Sequence, residues 1–350
     1  MFTTLYIREL QNYLYSLRFQ VSFVIVVLVF TLGSVSFASS FKDMHDNYTK
    51  YSVAQQEAIG KQAENISKVA TARNSFIISP RENSVIADCK ESYLPNRITY
   101  SAYNVFDYSV RHDSNNPLLI RTDSLSWSVI VSMFLRFITL LFAFDAISGE
   151  KEERTLALVF SNAVPRRTFL CSKLLSIITV IGVMELVGII ISLIILAVSG
   201  QVQLNSSFLI ETAGFILISL LFITTFAVFG LLSSVVTRYS NISLLISLCF
   251  WLFAAVVIPN TSVFWAKTLF SIPTSDEVAQ KRQEASNDIN RNAPEGSWSS
   301  NGMDAFYPRH ELRARNQSNL MNSDKKYNDA YYLQQFRQFE QTRNFTLLSP

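Results

Sequence analysis

Five stretches of this 350-residue chain are apolar over nearly 20 residues or more. An α-helix of about that length crosses a hydrocarbon core of roughly 30 Å. The stretches cover residues 19–38, 127–147, 174–198, 208–236 and 242–259. A chain that must bury five such runs cannot do so in one water-soluble globule, and its charge content agrees. Asp, Glu, Lys and Arg make up 16% of the residues, well below the roughly 25% of soluble domains. The expected fold is an all-α polytopic membrane protein with five transmembrane helices. Two long polar stretches, 41–126 and 260–350, are left as large, mostly helical regions outside the membrane.

Orientation follows from basic residues in short segments, because long loops cross membranes largely regardless of charge. Arg8 and Arg18 precede the first span, and Lys151, Arg154, Arg166, Arg167 and Lys173 lie between the second and third. Arg238 lies between the fourth and fifth, whereas the turn 200–207 has no basic residue. The expectation is a multi-pass protein of the cytoplasmic (inner) membrane with its N-terminus in the cytoplasm. Within residues 1–18, Phe2, Tyr6, Leu10, Tyr13, Leu14 and Leu17 share one helical face, with Arg8, Glu9, Asn12 and Arg18 away from it. That pattern predicts a helix lying in the membrane interface. In the polar regions, helices are expected over 46–73, 275–289 and 310–343, and strands over 76–79 and 84–87. Leu347-Leu348-Ser349-Pro350 reads as the start of another helix, so a sixth span is expected beyond it.

Several function classes drop out on inventory. A net charge of +3 with dispersed basic residues gives no nucleic-acid footprint. Cys89, Cys171 and Cys249 fall in three separate environments and offer neither metal-ligand spacing nor a disulfide framework. The histidines His45, His112 and His310 lie in the polar regions, and no span carries H-E-x-x-H, so hydrolysis within the membrane lacks its residues. The spans do hold Arg136 and Glu185, near the middle of the second and third at similar depth. An ionisable group there is costly and seldom faces lipid. The two are expected to approach each other or to line one polar cavity.

Function is most legible in residues 148–173, which read SGEKEERTLALVFSNAVPRRTFLCSK. Glu150, Glu152 and Glu153 suit a helix N-terminus, Leu156, Val159 and Phe160 give an apolar stripe, and Ser161-Asn162 with Pro165 end the helix. Arg166, Arg167 and Lys173 follow near the third span. A short amphipathic helix at the cytoplasmic surface is predicted.

Residues 145–175 resemble the signature of ABC-2-type transporter permeases. In that signature a Glu after the second span leads into a Thr-Leu-containing helix, then S-N-x-x-P-R and a Lys at the next span. The matching residues are Glu150, Thr155, Leu156, Ser161, Asn162, Arg166 and Lys173, while Arg154 and Ser172 stand where many members carry Gly. The resemblance extends to Arg8-Glu9-Leu10, to Ser16-Leu17-Arg18-Phe19 and to the large outer region after the first span. It implies a coupling helix seated in a groove of a separate ABC ATPase subunit. Leu156, Val159 and Phe160 would make the contact, with Glu150, Glu153, Arg154, Thr155, Arg166 and Arg167 around it. It also implies six spans and pairing with a second copy or a related permease.

The chain has no G-x-x-x-x-G-K-[ST] phosphate loop, and its nearest Gly-Lys, Gly60-Lys61, is followed by Gln. No cofactor is therefore expected in this chain, and ATP and Mg are assigned to the partner ATPase. Export of an unidentified substrate is the function that the resemblance implies. The rival is a non-transporting scaffold that transmits ATP-driven change to an extracytoplasmic partner.

Overall fold

The computed structural model describes residues 2–65, 69, 72, 74–87, 97–100, 107–109, 125–161, 164–200, 202–203, 205–293 and 308–346. The chain is an all-α polytopic membrane protein. Its helices are α1 (Phe2–Leu14), α2 (Leu17–Gln62), α3 (Trp127–Ile130), α4 (Arg136–Ala143), α5 (Ser148–Glu152), α6 (Thr155–Ser161), α7 (Arg166–Ser199), α8 (Ser206–Val236), α9 (Ser240–Leu252), α10 (Ile258–Leu269), α11 (Ser275–Arg291) and α12 (Pro308–Thr346). π-helical turns at Val131–Leu135 and Phe253–Val257 join α3 to α4 and α9 to α10. Among the described residues, five helical stretches are long and apolar enough to cross a membrane: Leu17–Gln62, Trp127–Glu152, Arg166–Ser199, Ser206–Val236 and Ser240–Val257.

Ser16 starts α2, its Oγ accepting from Phe19 N at 3.2 Å. From Ser34 to Ile59 there is neither Gly nor Pro, so nothing stops the helix where the apolar run ends. The first span and the expected outer helix are one rod of 46 residues, about 69 Å long at about 1.5 Å per residue. Ser22, Val26, Phe30, Gly33, Ser34 and Phe41 form its buried stripe, while Val21, Val24, Leu28, Leu32 and Val35 face outward. The outward set suits lipid, which gives no driving force for burying Leu or Val between helices.

Close packing therefore depends on small residues. A Cβ on Gly188 of α7 would lie 2.5 Å from Phe30 Cδ2, and one on Gly230 of α8 would lie 2.5 Å from Ala143 Cβ. Hydroxyls supply the remaining contacts. Ser34 Oγ and Ser192 Oγ are 2.5 Å apart, and Trp127 Nε1 donates to Ser192 Oγ at 2.7 Å, joining the buried faces of the first three spans.

Beyond the spans, β1 (Asn74–Ile77), β2 (Arg97–Tyr100) and β3 (Asp107–Ser109) form an antiparallel sheet in that order, with Asn74 opposite Tyr100 and Arg97 opposite Ser109. Gln55 Nε2 donates to Asn74 Oδ1 at 3.1 Å and ties the sheet to α2. The strand expected over 84–87 is instead a 3-10 turn, Glu82–Val85. Ser84 Oγ donates to Arg81 O at 2.6 Å, a local bond that favours the turn, and Val85 and Ile86 enter the core. The fifth helical run does not end at Pro259: it continues through the π turn Phe253–Val257 into α10, and the wider turn just before Pro259 is a local adjustment of the kind that accommodates a proline inside a helix. α11 and α12 pack together, with Arg282 Nε 3.2 Å from Asp324 Oδ1. Residues 347–350, where a further helix start was expected, lie outside the described residues.

Candidate functional site

The segment after α4 does not form the single helix expected over 150–161. It breaks into α5 and α6 at Glu153-Arg154, where Arg154 has φ 60° in the left-handed region. Gly adopts such a φ without penalty, whereas Arg carries a Cβ that makes it costly. Thr155 Oγ1 donates to Glu150 O at 3.3 Å across the break. Asn162 lies outside the described residues.

In α6, Leu156, Val159 and Phe160 are partly buried against the hydrophobic core of the bundle. Phe160 meets Phe169 edge to face at 5.4 Å, and the Arg166 guanidinium stands 6.0 Å from the Phe160 ring. The stripe that the sequence suggested for a partner holds α6 to its own chain. What points outward is Leu158, 67% exposed, flanked by the exposed residues Glu153, Arg154, Ala157 and Ser161. Arg166 and Arg167 are also exposed.

An ionic centre lies behind this segment. Lys173 of α7, buried, places Nζ 3.0 Å from Glu9 Oε1 of α1 and 2.7 Å from Glu150 Oε1 of α5. Arg18, at the start of α2, pairs with Asp145 just before α5 and lies 5.2 Å from the Phe144 ring. Tyr13 of α1 packs edge-on against Phe142 at 5.6 Å. Burial, then the charges of Glu9, Asp145 and Glu150, push its phenol well above the usual range, with Arg18 opposing. The three helices α1, α5 and α7 are thus joined by one ammonium and two carboxylates.

The same segment reaches the fourth and fifth spans. Lys151 and Glu152 of α5 bond backbone groups at the end of α8 and the start of α9, and Ser234 of α8 bonds the start of α5. Sequence reasoning did not single out Lys151, Glu9, Ser234 or Leu158 as functional. Lys151 sits among glutamates like any surface lysine, and Ser234 is one hydroxyl in a long apolar run.

Arg136 and Glu185 are both buried, but no ion pair joins them. Arg136 lies 5.8 Å and 5.1 Å from the rings of Phe222 and Phe226, whereas Glu185 accepts a hydrogen bond from Ser219. All three contacts belong to α8, so each charge takes its partner from that helix and not from the other charge.

The sequence profile of a family described as "ABC-2 family transporter protein" matches residues 3–334. No curated protein and no solved structure matches the chain.

Proposed function

The chain belongs to the ABC-2 transporter family, a membrane permease of the ABC type, and from that premise we propose that it couples ATP hydrolysis in a separate ABC ATPase subunit to export of a substrate. The observation that carries this reading is the α5–α6 segment. It is bonded to α1, α7, α8 and α9 and still presents Leu158 to the outside. A lever needs both properties: firm attachment to the elements it moves and an accessible apolar anchor with charges around it to fix register. Leu158 is the anchor in this reading, and Glu153, Arg154, Arg166 and Arg167 are the charged surround. ATP and Mg bind in the partner.

The end carrying α1, α5 and α6 faces the cytoplasm of the inner membrane. Arg8, Arg18, Lys151, Arg154, Arg166, Arg167, Lys173 and Arg238 all belong to segments at that end, which supports the orientation. Two ATPase subunits closing on each other would act on two permeases, a second copy or a related chain.

A second reading is favoured by α2, which runs unbroken from the Arg18–Asp145 pair through the bundle and on to the sheet. Tilting of that rod would carry an ATP-driven change directly to an extracytoplasmic partner with no substrate moved. Co-purification tests the feature that the two readings share. Leu158→Asp is expected to lose the ATPase subunit while the permease stays folded, because Leu158 contributes little to the core. Full retention of the ATPase by that variant would remove the coupling assignment.

A further inference from the structure

α8 ends at Val236 and α9 begins at Ser240. The turn between them presents the unpaired carbonyls of one helix and the unpaired N–H groups of the next. α5 answers both. Lys151 Nζ donates to Ser234 O at 3.2 Å, to Thr237 O at 2.9 Å and to Val235 O. These bonds use all three N–H groups of the ammonium. Glu152 Oε2 accepts from Ser240 N at 3.2 Å, in the first turn of α9, where Tyr239 supplies no side-chain cap. In return, Ser234 Oγ accepts from Ile147 N at 2.9 Å and from Ser148 N at 2.8 Å, at the start of α5. Each charge stands at the helix end whose dipole it complements, the ammonium at a C-terminus and the carboxylate at an N-terminus. Ser233 Oγ lies 2.9 Å from Ser247 Oγ and 3.1 Å from Ser243 Oγ, which holds α8 and α9 as a hairpin.

We propose that Lys151, with Ser234 and Glu152, is the positioning element that carries movement of the α5–α6 segment into the α8–α9 hairpin. The proposal rests on the coupling reading above. It divides the output of the segment between two lysines. Lys173 ties it to α1 and α7 through side chains, and Lys151 ties it to the end of the fourth span through backbone, with Glu152 reaching the start of the fifth. The difference matters mechanically. A bond between two side chains can re-form in another rotamer as helices slide. A lysine holding the carbonyls of residues 234, 235 and 237 grips the helix end itself, so a shift of α5 must either draw the end of α8 with it or break three charge-assisted hydrogen bonds together.

The test uses the full chain co-purified with its ATPase subunit in lipid nanodiscs, with hydrogen–deuterium exchange measured with and without ATP plus vanadate. In the unaltered complex, exchange over 148–161 and over 231–247 is expected to change together. Lys151→Met should keep the ATPase bound and keep the nucleotide response over 148–161, but lose it over 231–247. Lys151→Arg, which retains charge and donors, should restore the lost response. A Lys151→Met complex that responds over 231–247 as the unaltered one does overturns the proposal. An unaltered complex whose hairpin ignores nucleotide overturns it equally. Ser234→Ala gives a milder perturbation if Lys151→Met does not assemble; it should reduce the hairpin response, and an undiminished response counts against the proposal. Leu158→Asp, run alongside, reads the coupling surface separately. ATPase retained by that variant contradicts the coupling reading without bearing on what Lys151 transmits.

Discussion

Lys173→Met is the sharpest test of the ionic centre, because its effect can be worked out from the geometry. The Lys173 side chain is 4% exposed, with Glu9 Oε1 at 3.0 Å and Glu150 Oε1 at 2.7 Å, and those carboxylate side chains are 16% and 22% exposed. At an effective dielectric near 20, opposite charges about 4 Å apart attract by about 4 kcal/mol before desolvation is subtracted. Removing the ammonium cancels two attractions and leaves two largely buried carboxylates repelling each other. Deleting one member of a buried pair costs about 3–5 kcal/mol for this reason. Met keeps the stem but loses the ammonium 5.1 Å from the Phe169 ring, a further loss of about 0.5–2 kcal/mol. Adding Glu9→Gln and Glu150→Gln to Lys173→Met removes the stranded charges and should leave a net loss of only about 1–2 kcal/mol. Equilibrium unfolding in mixed micelles of dodecyl maltoside and SDS, followed by tryptophan fluorescence, measures both. A triple variant as unstable as Lys173→Met would show that stranded charge is not the cause, and the reasoning would fail.

Two further outcomes are open to the same assay. Arg154→Gly should stabilise the chain by about 0.5–1 kcal/mol, since a left-handed residue with a Cβ costs roughly 1–2 kcal/mol and the extra freedom of unfolded Gly offsets part of that; a lower midpoint would mean that the arginine side chain contributes more than its backbone costs. For Tyr13 the folded state favours the neutral phenol, so its contribution is intact below the ordinary value of 10.0 and is lost as pH rises through and beyond it. Tyr13→Phe should flatten the fall in stability between about pH 9 and pH 11, and an unchanged alkaline slope would assign that fall to another group.

The bilayer made the spans legible, because a helix exposed to lipid must be apolar along its whole length and no other part of the chain imitates that signal. The break at Arg154 was less legible, since backbone conformation at one residue leaves only a faint compositional trace. Arg is not a residue type that announces a left-handed φ. The α6 stripe packs partly against the chain's own core. Spacing shows that Leu156, Val159 and Phe160 share a face, but an apolar face suits a core and a partner equally well. The pattern of Lys151 was hidden for a different reason. Its acceptors are carbonyls, which every residue has, so no sequence feature at 234–237 announces a lysine partner.

The buried stripe of α8 connects the two polar features that sequence reading treated apart. It runs through Ser219, Ile223, Phe226, Gly230 and Ser234, all on one face. Ser234 is bonded to the start of α5, Gly230 meets Ala143, Phe226 lies under Arg136 and Ser219 bonds Glu185. From Ser234 to Ser219 the axis covers about 22 Å at about 1.5 Å per residue. α8 is one continuous helix over Ser206–Val236 with no proline in it. A displacement imposed at Ser234 would be carried along this axis toward Ser219. Arg136 and Glu185 would meet it differently: ring faces let a guanidinium slide from Phe226 toward Phe222, while the Ser219 hydroxyl must either follow Glu185 or release it. Taking partners from α8 instead of from each other is what would make these two charges responsive to its movement, for a direct ion pair between α4 and α7 would be indifferent to it.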